Sequence, residues 1–302
     1  MKRVLVTGAA GFIGRHCTEL LTSVADELHL VTSRKVSATL PHGIWHQCDL
    51  LSQDQARLLV ERVRPTHLLH LAWEATPPDY WISPKNLSWV RASLDLLGTF
   101  QQQGGERAVI AGTCAEYDWN HGTCRESDTS LIPTTVYGKS KAALYFAAEA
   151  LAQSSGLPLA WGRVFYTFGP GEYPSRLVSS IIRSLIENKP FLCRHPSAVL
   201  DFLYVDDLAD AFVTLLRSNV SGAVNLASGT PIRLGDLARD IAREMGKESL
   251  LQLRDKDEEG HVDVISADTN CLNNLVGWRP KIGTQEGMSR TIRWLREQEH
   301  SE

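Results

Sequence analysis

The first half of the chain alternates short, continuously apolar runs with stretches whose apolar spacing suits helices. Runs rich in Val, Leu and Ile that are separated by helices are typical of parallel strands buried on both faces of a sheet. The pattern predicts an α/β fold, a doubly wound parallel sheet, whose ligands bind beyond the carboxyl ends of the strands. The predicted strands are Arg3–Gly8, Leu28–Thr32, His67–Ala72, Arg107–Gly112 and Leu157–Phe165. The predicted helices cover roughly 14–21 and then Gln53–Val63, Asn86–Gln102 and Tyr137–Gln153.

Composition argues against several classes of function. The net charge of −4 provides no overall field that would attract nucleic acid or an anionic membrane. No apolar run is long enough for a transmembrane span, and the first one stops at Gly8, too early for a signal peptide. The 6 cysteines are scattered without a CxxC pair, and the 10 histidines form no metal-binding spacing. We therefore expect a cytoplasmic protein with reduced thiols, no metal, no nucleic-acid partner and no membrane partner.

The segment VLVTGAAGFIGRH places three glycines between the first strand and the first helix. Glycine at a strand exit permits a tight turn, and the amides at a helix N-terminus can meet the negative charge of a pyrophosphate. The spacing is G-x-x-G-x-x-G rather than the G-x-G-x-x-G fingerprint, and a purely structural glycine turn is the alternative. Its strand–loop–helix context favours a dinucleotide site in a Rossmann-type domain. The predicted cofactor contacts here are Gly8, Gly11, Phe12, Ile13 and Gly14.

The second strand ends in HLVTSRK, where many dinucleotide-binding domains carry an acid that binds the ribose 2′-hydroxyl. This chain has Ser33, Arg34 and Lys35 instead. An arginine at this place can accommodate a 2′-phosphate through charge-assisted hydrogen bonds, which favours NADP (NADPH) over NAD. The alternative is that Arg34 and Lys35 are solvated turn residues. Asp49, in the following CDL segment with Leu50, is a candidate partner for the adenine amino group.

The C-terminal part of the chain changes character. A Gly/Pro-rich loop at Thr167–Pro174 precedes an amphipathic helix at Leu177–Asn188, and Phe202–Leu216 has the pattern of a strand and helix that return to the sheet. We therefore predict a smaller, discontinuous substrate-binding domain. The dinucleotide-binding domain is assigned residues 1–165 plus about 190–218, and the substrate-binding domain residues 166–189 and 219–302.

The segment TVYGKSKAAL contains Tyr137 and Lys141, four residues apart and therefore on one face of a helix. A free phenol, with a pKa of about 10, exchanges protons slowly at neutral pH, and a nearby ammonium lowers that pKa. A single Tyr-x-x-x-Lys match is usually structural. Here Thr113 ends the preceding strand, where its hydroxyl can bind the substrate oxygen that Tyr137 would protonate.

Taken together, these segments resemble the extended short-chain dehydrogenase/reductases, the group of nucleotide-sugar epimerases, dehydratases and reductases. The matching segments are VTGAAGFIG, CDL, HLAW, Asn86, GTCAEY, YGKSK, GRVFYTFGPG, DFLYVDD, VNLASG and GWRP, in family order over nearly the whole chain. The resemblance implies that Thr113, Tyr137 and Lys141 are the catalytic residues. It further implies that Leu71, Ala72 and Trp73 line the cofactor, and that Tyr137 and Lys141 also bind it, with Lys141 on the nicotinamide ribose. Asn86 would support the site and contact the cofactor, and the protein would form a homodimer.

Departures from the family pattern narrow the expected substrate. Dehydratases of the group carry Asp-Glu where this chain has Cys114 and Ala115, so dehydration is not expected. Tyr166 replaces a common Asn, and Leu200 replaces the arginine that commonly binds the nucleotide diphosphate. Candidate replacements are Arg176, Arg194 and Arg233, each of which could instead be a solvated arginine. The predicted substrate contacts are Cys114, Ala115, Tyr166, Arg176, Leu177 and Arg233.

The aromatic-rich segment Trp73–Trp89 follows a strand end, where it could form a substrate-facing wall or simply pack as core or lid. Glu116 and Tyr117 are expected to serve the fold around Thr113.

The hypothesis from the sequence is an NADPH-dependent ketoreductase that acts on a nucleotide-linked sugar, in particular a 4-keto-6-deoxy sugar. The residues themselves predict a dinucleotide oxidoreductase, and the keto-sugar substrate comes from the resemblance. Two alternatives remain open: a nucleotide-sugar epimerase with tightly bound NAD, and a non-catalytic protein that senses NADP.

Overall fold

A computed structural model describes residues 2–35, 42–254 and 264–299. The strands are β1 (Arg3–Thr7), β2 (Glu27–Thr32), β3 (Ile44–Gln47), β4 (His67–His70), β5 (Arg107–Thr113), β6 (Thr123–Cys124), β7 (Leu159–Val164), β8 (Tyr166–Phe168), β9 (Phe191–Cys193), β10 (Val199–Leu200), β11 (Phe202–Tyr204), β12 (Gly222–Leu226), β13 (Ile232–Arg233), β14 (Leu251–Leu253) and β15 (Val264–Ala267). The helices are α1 (Phe12–Leu21), α2 (Gln53–Val63), α3 (Lys85–Gln102), α4 (Val136–Ser155), α5 (Leu177–Ile186), α6 (Val205–Arg217), α7 (Leu234–Met245) and α8 (Thr284–Glu299).

Seven parallel strands form the central sheet, in the order β12-β7-β5-β4-β1-β2-β3. The strands are buried because helices cover both faces: one apolar cluster joins the sheet to α1 and α6, and another joins it to α2, α3 and α4. The chain order reverses direction at β1, between β4 and β2, which is where doubly wound sheets open a crevice for ligands. The predicted α/β, Rossmann-type sheet is confirmed.

The smaller domain has its own core, built from α5, α7, α8 and a four-stranded sheet of order β13-β10-β15-β6. The strand pairing of its sheets differs from the predicted boundaries at three places. Thr123–Cys124 pairs with this sheet although it was assigned to the dinucleotide-binding domain, and Gly222–Leu226 is the edge strand of the central sheet although it was assigned to the smaller domain. Strands β9 and β10 also belong with the smaller domain, because they pair with β14, β13 and β15.

Helix α4 packs so closely against the turn after β5 that one of its residues must be glycine. Gly138, the second residue after the start of α4, faces the carbonyl of Ala115, and a Cβ at this position would collide with that oxygen. The glycine therefore lets α4 pack directly against the turn that follows β5. None of the helices among the described residues is long and apolar enough to cross a membrane.

Candidate functional site

A cleft of about 910 Å³ lies at the carboxyl edge of the central sheet and extends to the smaller domain. It is lined by the glycine loop after β1, the ends of β2, β4 and β5, the start of α4 and the loop before α5. This is the position expected for ligand binding in a doubly wound sheet. A second cavity, of about 760 Å³, opens at the opposite edge near Arg107 and Glu149, away from the residues predicted as catalytic.

The glycine loop has the geometry of a dinucleotide cradle. Gly8 has a φ of +69°, and a Cβ there would lie 2.8 Å from the backbone nitrogen of Ala72. A Cβ at Gly14 would collide with the Gly8 carbonyl oxygen, so the loop can close over the start of α1 only with glycine at both positions. Gly11 is the N-cap of α1, whose amides point toward the cleft end where a pyrophosphate could bind. Phe12 and Ile13 line the same cleft.

The end of β2 brings positive charge to the cleft. Ser33 and Arg34 line it, and the Arg34 amide donates to the Thr32 hydroxyl at 3.1 Å. Arg15, from α1, lines the cleft as well, and burial together with the Arg34 charge lowers its pKa. Two guanidinium groups therefore lie within electrostatic reach of one another, an arrangement that an anion between them would stabilise.

Lys35 is exposed and lies outside the residues that line the cleft, so its cofactor contact stays a prediction. Asp49 and Leu50 do line the cleft. One carboxylate oxygen of Asp49 accepts the Leu51 amide at 3.0 Å, and the Asp49 amide donates to Gln55, so the CDL turn is fixed by its own hydrogen bonds.

The end of β4 supplies Leu71, Ala72 and Trp73 to the cleft, as expected. His70 does not reach it: its ring bridges the hydroxyls of Thr7 (2.6 Å) and Ser93 (2.8 Å), and burial lowers its pKa to about 3. The histidine is therefore a neutral link between β1, β4 and α3.

Asn86 is 2% exposed and also lies outside the residues that line the cleft, so its cofactor contact stays a prediction. Its amide nitrogen donates to the carbonyls of Tyr80 and Ser83, and its oxygen accepts the Trp73 indole N–H at 2.8 Å. Asn86 thus shapes the loop before α3, consistent with the support that the family resemblance implies.

Thr113, Tyr137 and Lys141 meet at the centre of the cleft, as the sequence predicts. Thr113 ends β5, and the N-terminus of α4 carries Tyr137 and Lys141 past it. The Thr113 hydroxyl makes hydrogen bonds with the Ala115 amide at 3.2 Å and with the Tyr137 phenol. The Lys141 ammonium donates to the Ala111 carbonyl at 2.9 Å.

The electrostatics of this centre differ from the expectation. Burial and the neighbouring Tyr80 raise the pKa of Tyr137, and the hydrogen bond from Thr113 opposes them only in part. Burial lowers the pKa of Lys141 to about 7, against the attraction of the Glu116 carboxylate. The expected lowering of the Tyr137 pKa by Lys141 is therefore wrong for the protein as described, because the low dielectric of the site disfavours both charged forms.

A buried ion pair fixes the position of Thr113. The Glu116 carboxylate accepts the Thr113 amide at 2.8 Å, the Arg163 Nε–H at 2.7 Å and the indole N–H of Trp161. Arg163 also donates to the Tyr117 hydroxyl at 2.9 Å, and that hydroxyl donates to Asn225. Glu116 and Tyr117 therefore serve the fold around Thr113, as the sequence predicts.

The substrate end of the cleft is lined by Cys114, Tyr166, Arg176 and Leu177. The Arg176 guanidinium lies over the Tyr80 ring, 5.3 Å from its centre. Two other predicted substrate residues lie elsewhere. Ala115 is buried under α4, outside the lining. Arg233 caps α7 in the smaller domain with its side chain 57% exposed, 4.0 Å from Asp236.

Aromatic residues surround the Tyr137 ring. Tyr80 and Trp81 make edge contacts with it at 5.0 and 5.7 Å between ring centres, and Trp73 makes one at 6.3 Å. Trp81 in turn meets Trp119, whose indole donates to the Cys114 carbonyl at 2.8 Å. The aromatic segment Trp73–Trp89 thus forms a wall of the cleft.

The cleft residues that sequence reasoning missed include Arg15, Trp119 and Glu172. Arg15 and Glu172 lie directly beside glycines of the two glycine-containing loops, a signal that could have identified them. For Trp119 the only signal in the sequence is its position in the GTCAEYDW segment. Whether its side chain reaches the cleft depends on the local turn that follows Thr113.

Residues 4–227 match the NAD dependent epimerase/dehydratase family. UDP-glucuronic acid decarboxylase 1 of Xenopus tropicalis is 28% identical over an alignment of 322 residues, which covers 98% of this chain and 73% of the relative. dTDP-D-glucose 4,6-dehydratase of Homo sapiens is 25% identical over an alignment of 328 residues, which covers 99% of this chain and 91% of the relative.

Solved structures give the same picture of the fold. UDP-glucose 4-epimerase of Thermus thermophilus, solved with NAD, has a TM-score of 0.85 and 27% identity, with 97% of this chain and 99% of that chain covered. UDP-glucose 4-epimerase of Thermotoga maritima, solved with UDP-glucose, has a TM-score of 0.89 with 98% and 99% coverage; at 20% identity it shows the fold alone. The resemblance inferred from the sequence is confirmed at the level of the family.

Proposed function

Because the chain belongs to the NAD dependent epimerase/dehydratase family, we propose that it is an NADPH-dependent reductase of a keto group on a nucleotide-linked sugar. The expected substrate is a 4-keto-6-deoxy sugar. The family match supports an enzyme of nucleotide-sugar chemistry, and the reductase activity and the choice of NADPH are our own proposal. Its cleft combines a dinucleotide cradle with a Thr–Tyr–Lys centre, which also argues against a protein that only senses NADP.

One observation carries the choice of cofactor: the end of β2 presents Ser33 and Arg34 to the cleft, with Arg15 beside them. A 2′-phosphate between two guanidinium groups would receive charge-assisted hydrogen bonds and relieve their mutual repulsion. A ribose 2′-hydroxyl would leave that repulsion in place. The glycine cradle fits either dinucleotide, since it holds the pyrophosphate that both share.

The chain's own residues then perform the proton chemistry. Bound NADPH would supply the hydride that reduces the ketone carbon. The Tyr137 phenol, whose raised pKa keeps it protonated at neutral pH, is placed to protonate the developing alkoxide, and the Thr113 hydroxyl to polarise the same oxygen. Lys141, held by the Ala111 carbonyl, adds positive charge next to the proton donor.

The residues at the substrate end of the cleft suit the reduction of a keto sugar, a reaction that needs no acid or base other than the Thr113, Tyr137 and Lys141 centre. Cys114 stands on the cleft wall where an Asp of the dehydratases would stand, and burial raises the pKa of its thiol, so it is a neutral group there. Arg176 is the cation of that wall and the candidate for the diphosphate, in place of the family arginine at Leu200.

An epimerase with firmly bound NAD is the second candidate, favoured by the structural likeness to UDP-glucose 4-epimerases, one of them solved with NAD. The two functions differ in cofactor turnover. An epimerase oxidises and re-reduces the same sugar, so it retains its cofactor through purification and consumes none. A reductase binds NADPH reversibly and consumes it stoichiometrically.

The test is a turnover assay with NADPH and with NADH against a panel of nucleotide-linked 4-keto-6-deoxy sugars. We expect NADPH consumption, and consumption of neither cofactor across the panel would refute the reductase. In Arg34→Ala the preference for NADPH over NADH should fall by about tenfold or more, since a charge-assisted hydrogen bond contributes roughly 1.5–3 kcal/mol. Lys35→Ala is the comparison variant, because the adjacent charge lies outside the cleft lining and its removal should lower the preference less than Arg34→Ala does.

A further inference from the structure

The ammonium group of Lys141 lies against the face of an indole ring. Its nitrogen is 3.7 Å from the centre of the Trp73 ring, and it donates to the Ala111 carbonyl on another side. The lysine is only 3% exposed. Among the described residues, no carboxylate lies within ion-pair distance of this ammonium, so a carbonyl and a π face supply its direct contacts.

Trp73 is itself held in place. Its indole N–H donates to the Asn86 oxygen at 2.8 Å, and the Asn86 amide is fixed in turn by two backbone carbonyls. Trp89 stacks on its ring at 6.0 Å between centres. The ring is therefore positioned by α3 and by the loop before it, independently of Lys141.

We propose that Trp73 is a positioning residue, which holds Lys141 beside Tyr137 and stabilises its ammonium form through a cation–π contact. The inference rests on the proposed function, since it assigns a role within that reaction. A desolvated ammonium over the face of a Trp gains more from the ring quadrupole than an exposed one does.

The ammonium form of Lys141 depends on the Trp73 ring because few negatively charged groups lie near it. The ionisable groups packed around it are Glu116 from the turn after β5, His70 from β4 and Tyr137 from its own helix. Glu116 favours the ammonium, but its carboxylate is already paired with Arg163, and His70 is neutral. Burial lowers the pKa of Lys141 to about 7, so at neutral pH a modest loss of support shifts the balance to the neutral amine.

The direct test measures the ionisation of Lys141 without requiring turnover. The protein is labelled with ¹³C at the lysine Cε positions, and the Lys141 resonance is followed from pH 5 to pH 11 by NMR, with Lys141→Met for its assignment. In Trp73→Leu the titration midpoint should fall by about one pH unit, which is tenfold in the ionisation constant. In Trp73→Phe, which keeps a weaker π face, it should fall by less. Equal midpoints in the wild type and both variants would overturn the inference.

A second readout is the pH profile of ketone reduction with NADPH. Loss of the ammonium removes positive charge from beside the alkoxide that develops during reduction, so the basic limb of kcat should move to lower pH in Trp73→Leu, in step with the NMR midpoint. Absence of turnover in the wild type would refute the proposed function and leave the lysine titration readable. Normal turnover with an unmoved basic limb and an unmoved midpoint would refute the role of Trp73 alone.

Discussion

Glu172 makes the stability of the protein depend on pH in a direction opposite to that of an ordinary carboxylate. It lies in the loop before α5, 7% exposed, and its carboxyl oxygen accepts the Ser179 hydroxyl at 2.8 Å and the Ser179 amide at 3.3 Å. Burial raises its pKa from 4.5 to about 7, against the opposing effects of Ser179 and Arg176. Glu172→Gln keeps an oxygen acceptor for Ser179 and removes the ionisation.

The sign and size follow from linkage. Between pH 4.5 and 7 the folded protein keeps a proton on Glu172 that the unfolded chain has released, so the free energy of unfolding falls as pH rises through this window. Each pKa unit corresponds to about 1.4 kcal/mol, which gives a loss of up to roughly 3 kcal/mol above pH 7. Glu172→Gln should therefore be more stable than the wild type at pH 8 by up to that amount. At pH 4.5 the two should be nearly equal.

Urea unfolding of the wild type and Glu172→Gln at pH 4.5 and pH 8 measures how the difference in their free energies of unfolding changes with pH. Glu19→Gln, on the exposed side of α1, is the matched control and should behave like the wild type at both pH values. A Glu172→Gln variant that is destabilised at pH 8, or whose difference from the wild type is independent of pH, would refute the reasoning. It would show that the carboxylate is better compensated in the folded protein than its burial implies.

Two further variants test the site itself. Tyr137→Phe should lower kcat for ketone reduction by roughly 10²–10⁴-fold, because the proton donor is removed; unchanged turnover would show that another group donates the proton. Gly14→Ala should weaken NADPH binding, measured by nucleotide fluorescence, by about tenfold or more, because a Cβ there collides with the Gly8 carbonyl oxygen and the loop must move. Gly283→Ala, where a Cβ meets open space, is its control, and equal affinities for the two variants would contradict the cradle geometry.

The sequence predicted the central sheet well because its signals are local. Continuous apolar runs bounded by glycine identify buried strands. Every predicted strand of the first half begins and ends within three residues of the ends of an observed strand. The smaller domain was harder, because its sheets combine very short segments from distant parts of the chain. Thr123–Cys124 pairs with Ser266–Ala267. A strand of two residues is too short for its sequence pattern to predict which distant strand it pairs with.

The same distinction separates the predicted site residues that reach the cleft from those that do not. Tyr137, Lys141 and Thr113 are placed by helix spacing and by a strand end, both of which can be read from the chain. Arg233 shares the residue type expected of a diphosphate ligand, but its location depends on how the smaller domain packs. The pKa of Tyr137 was also beyond sequence reasoning, since it depends on how much aromatic surface surrounds the phenol.

The contact between Gly138 and Ala115 has a consequence for how such a protein can diversify. Since α4 rests directly on the turn after β5, Thr113 and Tyr137 form one rigid block that is braced from beneath by Glu116 and Arg163. Arg176, Trp81 and Trp119 belong to separate loops around that block. Under the proposed function, mutations in those loops would change which sugar is bound and leave the arrangement of Thr113 and Tyr137 as it is. Substrate choice and proton transfer would then depend on separate parts of the chain.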